Sequence, residues 1–397
     1  MRSIVLFLIL SGCVQSHPDN ITNVSINIDY NDAIEVNELD LVKDISLIQL
    51  DTSYYLRHEV LKRILLNNNR VAVLQAGASC SCADFILFDS QGNHIKTIDG
   101  FHDGNQNFAF ATDITFDKEL QEYKILSRNP NKIVSINLSG KITGETLLPF
   151  TETYMDFFYF NGKYLFFSDN AMFSHQNKHN ILITDSEYNN MANYDPITNL
   201  QNQSFVLNKD KIFYDYTNED FLYLPSPIID SIYQISSLGE FKERGSIKKS
   251  QTFSNSEKRK IINSEAPFQT LMDIYRNSNI LSFNIINQIY KVNDYIIIPS
   301  SHKSSRYYTI ISESTNQIKT LKLDNNLLFH RIFSNSQNGY FFPIGAYSLI
   351  RTVQSNPGEW NNDKAKEIIN LASHLDENDN FILVQFKWDI DFLQSFF

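Results

Sequence analysis

The chain is short of glycine, proline, cysteine and tryptophan. Of 397 residues, 13 are Gly, 10 Pro, 3 Cys and 2 Trp. Scarce glycine and proline exclude collagen-like and low-complexity chains and leave the turns to other residues. Asparagine is the substitute: its 43 residues outnumber the 34 Lys and Arg together, and its side chain tolerates left-handed turn geometry. Three cysteines exclude a disulfide framework, so stability must come from packed apolar area. Positive charge is also in deficit, with 34 basic against 45 acidic side chains and a formal charge of -11. That balance excludes a nucleic-acid partner, which needs a basic footprint. No apolar run reaches the roughly 18 residues of a membrane-spanning helix. What is present is a composition 42% hydrophobic and 13% aromatic, with 30 Phe and 20 Tyr, enough to fill a large core.

The N-terminus carries a processing signal. Met1-Arg2-Ser3 is a short positive region, and the apolar run at 4–10 has the length of a signal-peptide core. It ends in Leu10-Ser11-Gly12-Cys13, which resembles the bacterial lipobox. There, small residues before a cysteine let the lipoprotein signal peptidase cut, and the thiol then carries a diacylglycerol. The expected division is residues 1–12 as signal peptide, 13–40 as acylated Cys13 with a flexible tether, and 41–397 as one folded domain. Acyl chains contribute about 0.8 kcal/mol per buried CH₂, which anchors a protein in a lipid bilayer without a spanning helix.

Internal repeats set the fold class. Hairpin-like segments start at Phe85, Ile133, Ile181, Ile232 and Tyr308, at intervals of roughly 50 residues with one long interval of about 76. Each has an alternating or β-branched run followed by a polar turn with Gly or Asn, as in Phe88-Asp89-Ser90-Gln91-Gly92. Another apolar strand precedes each hairpin, for example Tyr164-Leu165-Phe166-Phe167, and a shorter one such as Asp113-Ile114-Thr115-Phe116 comes before that. Four strands per unit is the pattern of a propeller blade. The expectation is all-β: a six-bladed β-propeller of four-stranded antiparallel blades with short helical inserts. The sixth unit lacks an outer strand, which Ile45-Ser46-Leu47-Ile48-Gln49-Leu50 would supply to close the ring. Helices are expected within the insert 254–275 and over 363–375, and Tyr347-Ser348-Leu349-Ile350 reads as a strand.

With these repeats and the lipobox, the chain resembles the six-bladed β-propeller lipoproteins of Bacteroidetes, distantly similar to NHL and TolB-like propellers, over roughly residues 40–390. Its points of likeness are the early closing strand, the Phe88 to Gly92 turn, and the terminal helix followed by Glu377-Asn378-Asp379-Asn380 and a last strand. The stretch 100–108 keeps only two glycines of the family's glycine-rich loop. The resemblance implies a cell-envelope protein of the outer membrane, on its periplasmic or outer face, often beside glycan- or nutrient-uptake systems.

Candidate chemical residues are few. Cys80-Ser81-Cys82 reads first as an incidental pair in a loop, thiol or disulfide, and as the alternative a redox pair or half of a thiolate metal site, which wants two more ligands. His175 and His179 have a spacing that suits a metal only on a helix, and their Asn-rich context reads as a loop. Asp113 and Asp156 open innermost strands, where converging carboxylates hold a cation or simply cap a turn. Asp230-Ser231-Ile232 resembles the Asp-Ser-apolar sites of O-glycosylation in Bacteroidetes, making Ser231 a candidate. No resident cofactor is expected beyond a structural or channel cation. No Gly-x-Ser-x-Gly elbow or phosphate loop occurs. The preferred expectation is a monomeric, membrane-anchored propeller that binds a peptide, glycan or protein partner. The alternative is a hydrolase or lyase with its site in the central channel.

Overall fold

The structure, a computed structural model, describes residues 24–397 apart from 55, 58–60, 68, 78–82, 102–107, 169–180, 195–211, 216–219, 224–230, 237–239, 249–253, 263, 265–268, 271–272, 275–289, 303–304, 324–332, 336–338 and 356–362. Six antiparallel sheets form the ring of a propeller. From the axis outward, blade 1 is Leu61–Asn67, Arg70–Ala76, Ala83–Asp89 and His94–Asp99. Blade 2 is Ala111–Asp117, Glu122–Ser127, Lys132–Asn137 and Ile142–Leu147, and blade 3 is Asp156–Phe160, Lys163–Phe167, Ile181–Thr184 and Asn190–Tyr194. Blade 4 is Ile212–Asp215, Asp220–Tyr223, Ser231–Ile235 and Phe241–Ile247, and blade 5 is Tyr290–Val292, Tyr295–His302, Ser305–Ser312 and Ile318–Leu323. Blade 6 takes Phe333–Asn335, Gly339–Gly345 and Phe381–Trp388 from the C-terminal region and its outer strand, Val42–Gln49, from the N-terminal region.

The core follows from strand periodicity. A blade's middle strands are covered on both faces, so they read as continuous apolar runs whose alternate residues serve two neighbours. In blade 1, Ala72, Leu74, Phe85 and Leu87 pack with Ile114, Tyr123 and Val134 of blade 2. The intervening Val71, Val73, Ile86 and Phe88 pack with Phe341, Phe381 and Leu383 of blade 6. Outer strands have one side free, and Ile142–Leu147 is accordingly exposed along most of its length.

The outer hairpins share one device. Asp89 Oδ1 accepts from the amides of Gln91 and Asn93 at 2.8 and 2.9 Å. Asn137 Oδ1 does the same for Ser139 and Lys141, and Asp185 Oδ1 for Glu187 and Asn189. Three residues after each acceptor the chain turns left-handed, at Gly92 (φ 88), Gly140 (φ 75) and Tyr188 (φ 66). Tyr188 occupies the glycine position in blade 3, and its ring stacks on Tyr164 with centroids 4.8 Å apart. That contact offsets part of the cost of the left-handed backbone.

The N-terminal region departs from the expected tether. Val24–Ile26 runs parallel to Phe241–Ile247 as a fifth strand on blade 4, and Ile34–Val36 runs parallel to Ile318–Leu323 on blade 5. A 3₁₀ turn at Glu38–Leu41 then leads into Val42–Gln49. Residues 24–41 therefore belong to the folded body: Ile26, Val36, Leu39 and Leu41 are buried, and these apolar side chains stabilise a belt along the outer rim of blades 4, 5 and 6.

The ring closes as the sequence predicts, with Ile382 opposite Gln49 and Val384 opposite Leu47. Buried Asn380 locks the seam: its side-chain amide donates to the carbonyls of Asp51 and Tyr54, and its oxygen accepts from Leu56 N–H at 2.9 Å. Gly92 of blade 1 sits against this seam, where an added Cβ would lie 2.0 Å from Gln49 O. Asn255–Ile262 is helical, as are 269–270 and 273–274 in the same insert, and Asp363–Ala372 forms the expected terminal helix. The run Tyr347-Ser348-Leu349-Ile350 is a correction: it lies in the helix Ala346–Ser355 and not in a strand. Ala346, Leu349 and Ile350 are its buried residues, a helical spacing that a four-residue apolar run cannot distinguish from a strand.

Candidate functional site

Asp113 and Asp156 stand on the innermost strands of adjacent blades, and a third blade meets them. Arg63, on Leu61–Asn67 of blade 1, places Nε 2.6 Å from Asp113 Oδ1 and Nη2 3.6 Å from Asp156 Oδ1. Its guanidinium lies 4.3 Å from the centroid of the Phe158 ring, so ionic and cation–π contacts act on the same group. The second oxygen of Asp113 accepts from Phe157 N–H at 2.8 Å. Both carboxylates are nearly enclosed, with 3% and 9% of their side chains exposed. Burial pushes the Asp113 carboxyl above its ordinary range, while Arg63 and the amides of Phe157 and Ile114 pull it back. The positive charge that a bound cation would bring is thus already supplied from within the chain.

The same face of blade 2 continues this docking. Thr115 Oγ1 accepts from Tyr159 N–H at 2.8 Å, and Asp117 Oδ2 accepts from the Tyr164 hydroxyl at 2.6 Å. Desolvation, reinforced by neighbouring Tyr188 and Asp117, pushes the Tyr164 hydroxyl far above its ordinary range. Asp113, Thr115 and Asp117 are spaced by two, so a β-strand presents all three on one face toward blade 3. Sequence reading nominated Asp113 and Asp156 but missed Arg63, Thr115 and Asp117. The alternation Asp113-x-Thr115-x-Asp117 was a usable signal, whereas Arg63 stands 50 residues from its partner and leaves no local one.

Of the other nominated residues, one is described. Ser231 opens the third strand of blade 4. Cys13, Cys80, Cys82, His175 and His179 lie outside the described residues. Among the described residues, no three His, Cys, Asp or Glu side chains converge to hold a metal ion, and no helix is long and apolar enough to cross a membrane.

A groove lies on the rim between blades 1 and 2, with a volume of 840 Å³. One wall is Lys96, Thr97, Ile98 and Asp99 of the outer strand of blade 1, and the other is Ser139, Gly140, Lys141 and Ile142 of the blade 2 hairpin. Ile98 and Ile142 are half-buried over the core between these blades. Lys96 and Lys141 are exposed. The groove thus joins an apolar floor, two ammonium groups and an outer strand whose free side no other strand covers among the described residues.

Ring closure, six radial sheets and this rim define a six-bladed β-propeller. The chain belongs to the family described as Domain of unknown function (DUF4934), whose model matches residues 21–387. It is similar to a solved structure of a Bacteroides fragilis protein inferred to be exported, at 15% identity and a TM-score of 0.67, covering 93% of this chain and 100% of that one. A member of the DUF4221 family from Bacteroides vulgatus matches at 14% identity and a TM-score of 0.48, covering 88% of this chain and 97% of that one. At 15% identity the likeness to the Bacteroides fragilis protein shows the fold alone. No curated protein matches the chain.

Proposed function

We propose that the chain is a cell-envelope lipoprotein, held at the outer membrane through acylated Cys13, whose propeller binds a peptide, glycan or protein partner alongside a nutrient-uptake system. The rim groove is the observation that carries the binding role, because it combines apolar area with charged and backbone groups that still have room for a ligand. Location rests on the apolar run at 4–10 ending in Leu10-Ser11-Gly12-Cys13, and structural likeness to a Bacteroides protein inferred to be exported agrees with it. The belt fits a tethered arrangement, since it pairs Val24–Ile26 with the rim of blade 4, eleven residues beyond Cys13 in the sequence. A hydrolase or lyase in the channel would need Asp113 and Asp156 as free acid and base. Arg63 engages both, which favours a role in holding blades together.

Two measurements test this reading. Cys13→Ser should move the protein from the membrane fraction to the soluble fraction, and an unchanged distribution refutes the lipid anchor. A photo-crosslinker placed in turn around the rim and on both disc faces of the full chain should capture a partner in intact envelopes. Absence of a crosslink at every position refutes the binding role.

A further inference from the structure

We infer that the outer edge of blade 4, with the helix Asn255–Ile262 that follows it, is a basic surface lying against the anionic headgroups of a lipid bilayer. The placement rests on the acylated Cys13 proposed above and names the side of the propeller that meets the membrane.

Net charge conceals a local reversal. The chain has 34 basic against 45 acidic side chains, yet residues 240–260 hold seven Lys and Arg against three Glu. Four of the seven are described and exposed: Lys242 and Lys248 at the outer edge of blade 4, Arg259 and Lys260 on the helix. Two of the three acids are engaged locally. Glu240 pairs with Lys242 at 3.2 Å, and Glu257 Oε2 accepts from the amide and hydroxyl of Ser254 at 2.8 and 2.6 Å. Lys248, Arg259 and Lys260 form no ion pair among the described residues, which leaves their charge to an outside anion.

The N-terminal region meets the fold at this same edge. Val24–Ile26 pairs with residues 245–247, and Lys248 N–H donates to Ile26 O at 2.8 Å. Cys13 precedes Val24 by eleven residues, a reach of at most about 40 Å. The helix begins seven residues after Lys248, within about 25 Å of it. Acylated Cys13 thus brings the edge of blade 4 to the bilayer together with its basic residues. Blade 1 stands across the ring from blade 4, and its outer strand is farther off by the depth of two blades, about 14 Å each for strands about 4.8 Å apart.

Charge then holds what the anchor delivers. Each Lys or Arg near an anionic lipid surface strengthens binding about five-fold, and the attraction fades within a Debye length, so the residues must touch the headgroups to act. In that orientation the groove between blades 1 and 2 faces away from the membrane, open to a partner.

The test reconstitutes the full chain, expressed with its own leader, into phosphatidylcholine vesicles with or without phosphatidylglycerol. A fluorescent amino acid replaces Asn255 at the start of the helix or Ser90 in the outer turn of blade 1, both exposed, and energy transfer to a headgroup acceptor is read. Transfer from position 255 should be stronger in anionic vesicles and fall by about half or more in high salt or in Lys248→Glu with Arg259→Glu and Lys260→Glu. Transfer from position 90 should stay weak throughout. Thermal melts matching the parent show that the triple variant is folded. Equal transfer from the two positions in anionic vesicles, or transfer from position 255 that ignores the triple substitution, overturns the surface. If the chain still floats with both kinds of vesicle, the lipid anchor stands. Flotation with anionic vesicles alone, abolished by the triple substitution, supports the surface and refutes the anchor. Flotation with neither overturns both.

Discussion

Among the described residues, blades 4, 5 and 6 carry the N-terminal region along their rims, and blades 1, 2 and 3 do not. On blades 4 and 5 the outer strand gains a parallel neighbour, and on blade 6 the N-terminal region is itself the outer strand. On blades 1 to 3 the outer strands His94–Asp99, Ile142–Leu147 and Asn190–Tyr194 end their sheets. The contrast teaches that closing a propeller and protecting its edges are separate tasks. Closure needs only the strand Val42–Gln49, whereas the preceding residues cover edges that would otherwise invite pairing. The bare half is stitched near the axis instead, through Arg63, Asp113, Asp156, Thr115 and Asp117.

The largest effect is expected where the two halves meet. In Gly92→Ala the new Cβ would sit 2.0 Å from Gln49 O, on a backbone at φ 88. Neither a carbonyl in a sheet nor a left-handed turn yields cheaply, so the loss should exceed about 4 kcal/mol. Gly140→Ala makes the comparison sharp, because it has the same turn at φ 75 in the bare half but meets side-chain atoms instead of a carbonyl, with Lys96 Cγ at 2.8 Å and Lys96 Cβ at 3.0 Å. A χ1 rotation moves Cγ but Cβ must shift with its strand, so the loss should exceed the backbone strain of about 1–3 kcal/mol and stay below that of Gly92→Ala. Urea denaturation of both variants measures the gap. Equal losses would mean that the seam has no special rigidity.

Next comes the axial clamp of the bare half. Arg63→Met leaves Asp113 and Asp156 buried beside each other without their cation, a change expected to cost about 3–5 kcal/mol. Adding Asp113→Asn and Asp156→Asn should recover a large part of that loss, because the uncompensated charges are then gone. A double-mutant cycle on folding stability checks this, and strictly additive losses would break the assignment of Arg63 as their shared partner.

The belt itself is worth less. Ile26, 2% exposed, is one of the apolar residues holding Val24–Ile26 on blade 4, and Ile26→Ala should cost about 2–4 kcal/mol. More telling is where the loss appears. Amide exchange over Phe241–Ile247 should accelerate toward that of the uncovered Ile142–Leu147, with blades 1 to 3 unchanged. Exchange that rises equally around the ring would erase the distinction between the two halves.

How much of this was legible beforehand follows from distance along the chain. The middle strands are written as apolar runs such as Phe85-Ile86-Leu87-Phe88, and the hairpins as Asp89 to Gly92, so blade number and closure could be read locally. The belt could not. Val24-Ser25-Ile26 and Ile34-Glu35-Val36 are three-residue strands in polar surroundings, and their partners are more than two hundred residues away. No periodicity survives in three residues, and a parallel edge pairing leaves no turn to announce it. For the same reason Asp113 and Asp156 could be placed on inner strands while the arginine between them was missed. Carboxylate position is a local property, and its partner is a property of the closed ring.

The smallest expected effect lies within the bare half itself, in how its outer turns respond to acid. The outer turns of blades 1 and 3 are built on Asp89 and Asp185, whose carboxylates are held below the usual range first by the side-chain amides of Asn93 and Asn189 and then by backbone amides. A carboxylate with a lowered folded pKa stabilises the fold fully above its unfolded value, and the contribution is lost as pH falls through the folded value. Stability from these turns should therefore hold above about pH 4 and decline below it. Blade 2 builds the same turn on Asn137, which does not titrate. Asp89→Asn with Asp185→Asn should flatten the fall in urea midpoint between pH 6 and pH 3, and Asn137→Asp should steepen it. Exposure of these groups keeps both changes small, and Asp51 and Glu122, also lowered, preserve part of the slope. If the double variant falls as steeply as the parent, the acid sensitivity lies elsewhere in the ring and the turns are held by their backbone geometry alone.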